Sequence, residues 1–197
     1  MPLTATYQDN TRICTLDFKD AHEIRAKYNQ GSLTCPFCKQ LVHPRQREGY
    51  LTHFVHNSPC STKLEHHPES PEHLLGKEVL ARHLKEQVKN YEVDVQIEYP
   101  IPEAGENGRI ADVAAIYKTG YVLIYECQLA AITTNKLEQR TTDYEREGCE
   151  VIWWFGKAAD TEANHNWAKS RNAVSYKLLF SERENVVNIN FPEQDNH

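Results

Sequence analysis

The 197-residue chain has no apolar run longer than about ten residues, roughly half of what a membrane-spanning helix needs. Its first residues show no basic segment followed by an apolar core, so no secretory leader is expected and the expected compartment is the cytoplasm. There is no excess of basic residues either. A net charge of −6 and a pI near 5.9 argue against a broad electropositive surface that coats nucleic acid. A local basic groove stays compatible with that balance, because metal sites concentrate carboxylates. No internal repeat is present. What remains is the composition of a soluble globular protein, long enough for one ordinary domain or for a core of about 120–130 residues plus a small module. Six cysteines in a reducing compartment are expected to be reduced or metal-bound rather than paired.

The stretch Tyr121–Ala130, YVLIYECQLA, is apolar or aromatic at eight of ten positions and reads as a strand buried on both faces. It nevertheless carries Glu126 and Gln128, two residues apart and therefore on one face. A carboxylate there is costly unless it is paired, protonated or bound to a metal. Asp112 sits in the middle of the preceding strand-like run, RIADVAAIY, and the Thr119-Gly120 turn between the runs suits adjacent antiparallel strands. Asp112 with Glu126 is thus a candidate Mg2+ or Mn2+ site. The alternative is a buried ion pair with Arg109, Arg140 or Lys77, worth little net stability.

A second constellation is Cys35-Pro-Phe-Cys38, fourteen residues, then His53-Phe-Val-His56. Two thiolates and two imidazoles at this spacing suit tetrahedral Zn2+, held in a closed and therefore structural site. Such an ion supplies about 10–16 kcal/mol of apparent binding energy to a module too small for a good core. Cys60 is an alternative ligand or a bystander. A redox pair and unliganded structural cysteines are the competing readings, the first weakened by the strand and Pro44 that follow the cysteines. Residues Asn57–Pro71 read as a linker, with His66-His67 as solvated loop histidines.

Glu72–Asn90 predicts an amphipathic helix capped by Ser70, with Pro71 in its first turn and Leu74, Leu80, Ala81, Leu84 and Val88 as the apolar stripe. Lys77 falls inside that stripe, His73 at its margin and Glu78 just beyond the opposite margin, which marks all three as candidate functional residues. The bland reading of Lys77 is an aliphatic stem along the core with its head in water. Strands are expected at Tyr91–Ile101, Glu150–Gly156, Val174–Phe180 and Asn185–Phe191, and helices at Asp20–Tyr28, Thr133–Glu147 and Asp160–Lys169. Leu137, Arg140 and Tyr144 share one face of the Thr133 helix. The crossover from the Glu126 strand through that helix to the Glu150 strand is long enough to make the two strands parallel. The expected division is residues 1–66 as the metal module and 70–197 as the larger domain.

Taken in order, Cys35-x-x-Cys38, His53-Phe-x-His56, Glu69-Ser-Pro-Glu72-His73 with Lys77, Arg109-x-x-Asp112, Glu126-x-Gln128, Arg140 with Tyr144, and Trp153-Trp154 resemble the competence protein CoiA-like family of the PD-(D/E)xK nuclease superfamily. The resemblance implies an α/β (α+β) fold with a restriction-endonuclease-like core, a mixed central sheet flanked by helices, and a small N-terminal zinc-binding module. It implies a metal-dependent nuclease acting on DNA, with Glu78, Asp112, Glu126 and Gln128 as the core set. The main-chain carbonyl of Cys127 is a further magnesium ligand in this scheme. Lys77 and His73 supply positive charge, Arg140 clamps phosphate, and Tyr144 orients it. Ala111 stands where the superfamily motif has Pro. Gln128 replaces the superfamily Lys, as it does in the CoiA-like pattern. The rival reading is an inactive module on the same fold that binds nucleic acid or a protein partner; a homo-oligomer is also compatible.

Overall fold

The computed structural model describes residues 2–29, 31–64, 69–181 and 186–190. The His66-His67 pair and the expected ends of the last strand at Asn185 and Phe191 lie outside them. Near the N-terminus, β1 (Thr4–Thr6) pairs antiparallel with β2 (Arg12–Cys14), and α1 (Ala21–Lys27) starts at Asp20, whose carboxylate accepts from the Glu23 N–H. A hairpin of β3 (Val42–Arg45) and β4 (His53–His56) follows, in register Val42 to His56. Ile13, Ile24, Leu33, Cys35, Val42 and Phe54 form a small core of their own beneath these elements.

The larger part starts with α2 (Pro71–Gln87), where the Ser70 hydroxyl accepts from the His73 N–H and Pro71 occupies a first-turn position whose N–H has no helical partner. Then come β5 (Val93–Ile101), β6 (Arg109–Tyr117), β7 (Val122–Gln128), α3 (Thr134–Arg146), β8 (Cys149–Gly156), α4 (Glu162–Ser170), β9 (Val174–Ser181) and β10 (Val186–Asn190). The sheet order is β10-β9-β8-β7-β6-β5. β5, β6 and β7 are antiparallel, β7, β8 and β9 are parallel, and β10 returns antiparallel. The α3 crossover between β7 and β8 accounts for the change of sense.

Helices cover both faces. On one, Leu74, Leu80 and Leu84 of α2 pack against Val113, Cys127 and Trp154. On the other, Leu137 and Tyr144 of α3 pack against Ile124, Val151, Trp153 and Phe155. Burial on both sides explains why β7 and β8 are almost continuously apolar. Gly76 lets α2 approach closely, since a Cβ there would stand 2.6 Å from the Cys127 sulfur. Among the described residues no helix is long and apolar enough to cross a membrane.

The regular alternation breaks in one row. Val93, Val95 and Ile97 face α2, whereas Tyr99 and Ile101 belong to the α3 side. In β6 the same switch separates Val113 from Ala111. The β5–β6 ladder pairs Ile97 with Val113 and Tyr99 with Ala111 and omits the intervening step, Glu98 with Asp112. Glu98 has φ 57°, a left-handed conformation that costs a non-glycine residue about 1–3 kcal/mol. The turn it introduces directs two successive side chains, Ile97 and Glu98, to the α2 side, as a β-bulge would.

Candidate active site

The β6–β7 ladder runs from Ile116–Val122 to Val113–Tyr125. One step further Asp112 and Glu126 would be opposite, so both carboxylates stand where the ladder ends, Asp112 bonding toward α2 and Glu126 toward α3. There the Cys127 N–H donates to Asp112 Oδ2 at 2.8 Å rather than to a strand carbonyl. The same oxygen is 3.1 Å from His73 Nε2 on α2. Burial on its own would raise the Asp112 carboxyl; His73, Lys77 and the Cys127 amide outweigh it and hold the group at about 2.

Glu69, just before α2, stands with its Oε1 3.6 Å from His73 Nδ1. Glu69, His73 and Asp112 each offer one ligand atom, and these atoms lie within 4.8 Å of one another. Two carboxylates and an imidazole fit Mn2+, and with water ligands Mg2+. Lys77, one helical turn beyond His73, is completely buried. Its ammonium donates to Glu69 Oε1 and, at 2.9 Å, to Glu98 Oε1. Burial works against that charge, but Glu98 and Glu69 outweigh it and raise the Lys77 pKa. Burial raises the Glu69 carboxyl in spite of Lys77. The His73 pKa is raised too, Asp112 more than offsetting the burial.

Glu126 faces α3. Tyr144 donates its hydroxyl to Glu126 Oε1 at 2.5 Å and Arg140 Nη2 donates to Oε2 at 2.5 Å. Burial nevertheless holds the Glu126 carboxyl above its ordinary range. Arg140 Nη1 also donates to Gln128 Oε1 at 3.1 Å, while the Gln128 amide donates to the Ala130 carbonyl at 2.7 Å. The guanidinium lies 5.2 Å above the Trp153 ring. Gln128 therefore orients Arg140. A cleft of about 210 Å3, bordered by Glu69, His73, Asp112, Glu126, Gln128 and Arg140, opens at this point.

Several expectations need correction. Glu78 does not border the cleft; its carboxylate accepts from Arg82 Nε at 2.8 Å, four residues on along α2. Residues 69, 73 and 77 follow one line at four-residue spacing, and residue 78 is turned about 100° away from it. Glu69 takes the place expected for Glu78, and stepping back four residues from His73 would have found it. Lys77 borders the cleft, but its charge is balanced by two carboxylates rather than offered to phosphate. Cys127 borders the cleft and engages Asp112 through its N–H.

The zinc expectation changes in one ligand. Cys35, Cys38, His56 and Cys60 form the compact group, with ligand atoms within 4.8 Å of one another, and Cys38 Sγ is 3.3 Å from His56 Nε2. His53 lies outside it, buried, with Nδ1 2.9 Å from the Leu51 carbonyl. His53 and His56 are three apart on β4, an odd separation that sends them to opposite faces of a strand. Three thiols and one imidazole fit closed tetrahedral zinc.

The sequence model of the family described as competence protein CoiA, nuclease-like domain, matches residues 69–194, well over half of the chain. Among solved structures, a repair endonuclease from Pyrococcus abyssi is similar at 16% identity and TM-score 0.36, over 65% of this chain and 52% of that one. This chain thus spans about half the length of that endonuclease. SfsA from Pyrococcus furiosus in complex with Ca2+ is similar at 12% identity and TM-score 0.39, over 77% of this chain and 75% of that one. An EndoMS–dsDNA complex is similar at 12% identity and TM-score 0.34, over 75% and 67%. No curated protein matches.

Proposed function

The chain belongs to the competence protein CoiA nuclease-like domain family, and on that premise we propose that it hydrolyses phosphodiester bonds of DNA at the Asp112–Glu126 cleft with a divalent cation, Mg2+ or Mn2+. The observation that carries this reading is the buried Asp112 carboxylate grouped with Glu69 and His73 at the end of the β6–β7 ladder. Those three residues would hold the ion, and Glu126 borders the same cleft. When bound, such an ion polarises a phosphoryl oxygen and generates a hydroxide-like nucleophile from water.

The chain's own residues supply the rest. Arg140 is permanently charged, and its planar fork matches two phosphate oxygens. Gln128 and the Trp153 face hold that fork at the cleft. Tyr144 fixes the Glu126 carboxylate, and His73 sets the orientation of Asp112. Cys35, Cys38, His56 and Cys60 would hold a structural Zn2+ that fastens the N-terminal hairpin.

One observation favours a second reading. Gln128 offers no amine to accept a proton, and the Lys77 ammonium is taken up by Glu69 and Glu98. A nuclease-fold module that binds nucleic acid or a protein partner without cutting is consistent with that. Incubating the full chain with single-stranded DNA, double-stranded DNA and RNA in Mg2+, Mn2+ or chelator separates the two. Metal-dependent cleavage of DNA supports the nuclease; tight binding with no cleavage of any substrate supports the module.

A further inference from the structure

Glu98 is 3% exposed, yet the β5 alternation would send it to solvent, and its left-handed backbone is what turns it inward. Its carboxylate faces α2 and the N-terminal strand together. Oε1 accepts from the Leu3 N–H at 2.7 Å and from Lys77 Nζ at 2.9 Å. Oε2 accepts from the Thr4 hydroxyl at 2.6 Å and the Thr4 N–H at 3.2 Å. Arg12 of β2 adds a clasp on the backbone, donating to the Ile97 carbonyl and, at 2.9 Å, to the Glu98 carbonyl.

The segment held by Glu98 is also bonded to the Cys/His module. Thr6 exchanges backbone hydrogen bonds with Thr34, next to Cys35, at 2.8 and 2.9 Å, and the Phe54 N–H of β4 donates to the Pro2 carbonyl at 2.8 Å. On the other side Lys77 passes from Glu98 to Glu69, which belongs to the candidate cation group with His73 and Asp112. A continuous line of hydrogen bonds and ion pairs therefore runs from the zinc-type module through β1, Glu98, Lys77 and Glu69 to the cleft.

We propose that Glu98 is a positioning residue: by sharing Lys77 it sets the Glu69 carboxylate for the cation, and by its bonds to Leu3 and Thr4 it makes cation affinity depend on docking of the N-terminal strand. This rests on the reading of Glu69, His73 and Asp112 as a divalent-cation site. The electrostatic reason is direct. Lys77 is shared between two carboxylates; with Glu98 neutral, its full charge acts on Glu69 and on Asp112 and competes with the cation.

The test uses the full chain and Mn2+ alone as the probe. Glu98→Gln keeps the shape and removes the charge; its single carboxamide oxygen can accept on the Leu3 side or the Thr4 side but not on both, the NH2 taking the other place. Mn2+ binding is measured by electron paramagnetic resonance on protein with a wild-type circular dichroism spectrum, with kcat and KM on DNA recorded beside it. The dissociation constant of Glu98→Gln is expected to rise about 10-fold or more, the usual effect of a partner that orients a ligand. Thr4→Val, which removes one donor from the β1 side and leaves the cleft intact, is expected to weaken Mn2+ in the same direction by a smaller factor. It carries the test if Glu98→Gln does not fold. Folded Glu98→Gln with Mn2+ affinity within about twofold of wild type overturns the proposal, because loss of stability alone leaves the affinity of the folded protein unchanged; unchanged affinity in Thr4→Val removes the coupling to the N-terminal strand. A wild-type protein that binds Mn2+ but cuts no DNA defeats the nuclease reading and leaves the Mn2+ comparison to decide the role of Glu98.

Discussion

Asp112 Oδ2 accepts the Cys127 N–H at 2.8 Å, so a side chain of β6 occupies the place where a strand carbonyl would stand on the neighbour of β7. The ladder ends there, and the two strands separate around the cleft. The bond satisfies a buried amide that would otherwise cost about 1–3 kcal/mol. It also fixes the carboxylate oxygen that lies 3.1 Å from His73 Nε2. Opening the sheet and presenting an anion are one structural event.

The contact of α2 with β7 beside that bond is sterically tight. Gly76→Ala brings a Cβ to 2.6 Å from the Cys127 sulfur and is expected to destabilise by about 1–3 kcal/mol, although alanine in a helix interior gains about 1 kcal/mol over glycine. In Gly76→Ala/Cys127→Ala the clash is gone and the helix gain emerges. Urea unfolding of the four proteins of this cycle is expected to give a coupling energy of at least about 1 kcal/mol; strictly additive effects would contradict the close approach.

Zinc content distinguishes the two histidines of β4. Cys60→Ser is expected to lose the metal measured by elemental analysis after purification without chelator, while His53→Asn retains it at the wild-type level. The reverse result would restore His53 to the ligand set.

Lys77 is buried between Glu69 and Glu98. Lys77→Met leaves two carboxylates without their cation and is expected to cost about 3–5 kcal/mol in chemical denaturation at neutral pH. A change below about 1 kcal/mol would mean that the carboxylates find other compensation.

Glu98 introduces a pH dependence. Burial opposes its ionisation, but Lys77, the Thr4 hydroxyl and the Leu3 N–H prevail, and its pKa falls below the ordinary 4.5. Arg12, Glu69 and the Cys14 thiol are further titratable groups that interact with it. A depressed carboxylate contributes stability that is fully present above its unfolded value and lost as pH falls through the folded value. The N-terminal strand should therefore be held firmly at pH 6 and loosen below about pH 4.5. Hydrogen exchange at the Leu3 and Thr4 amides is the measurement. Glu98→Gln should show weaker protection at pH 6 and little further change on acidification; wild-type protection that persists unchanged well below the ordinary carboxylate range would contradict the assignment.

Much of this was legible in the sequence because local rules and tertiary structure agree. Ser70 and Pro71 announce the start of α2, the Thr119-Gly120 turn joins β6 to β7, and the unbroken apolar runs of β7 and β8 announce burial on both faces. Asp112 and Glu126 could be placed at the end of one antiparallel ladder from strand spacing alone. Glu98 could not: a clean period-2 pattern assigns it to solvent, and only the left-handed turn in mid-strand reverses the face. Glu69 stood in the family motif without a role of its own, because it precedes the helix whose line it continues. His53 was separable from His56 by strand parity, whereas the return of Cys60 to the cysteine knuckle depends on a loop path with no periodic signature.

In the proposed function Asp112 holds a divalent cation for phosphodiester hydrolysis. Asp112→Asn keeps an oxygen for the Cys127 amide and removes the charge, so the fold should persist. Measured together, Mn2+ affinity and the rate of Mn2+-dependent DNA cleavage test the claim most directly. Both are expected to fall in Asp112→Asn, cleavage by about 100-fold or more, with the circular dichroism spectrum unchanged. A folded Asp112→Asn that binds Mn2+ and cuts DNA like the wild type would contradict it.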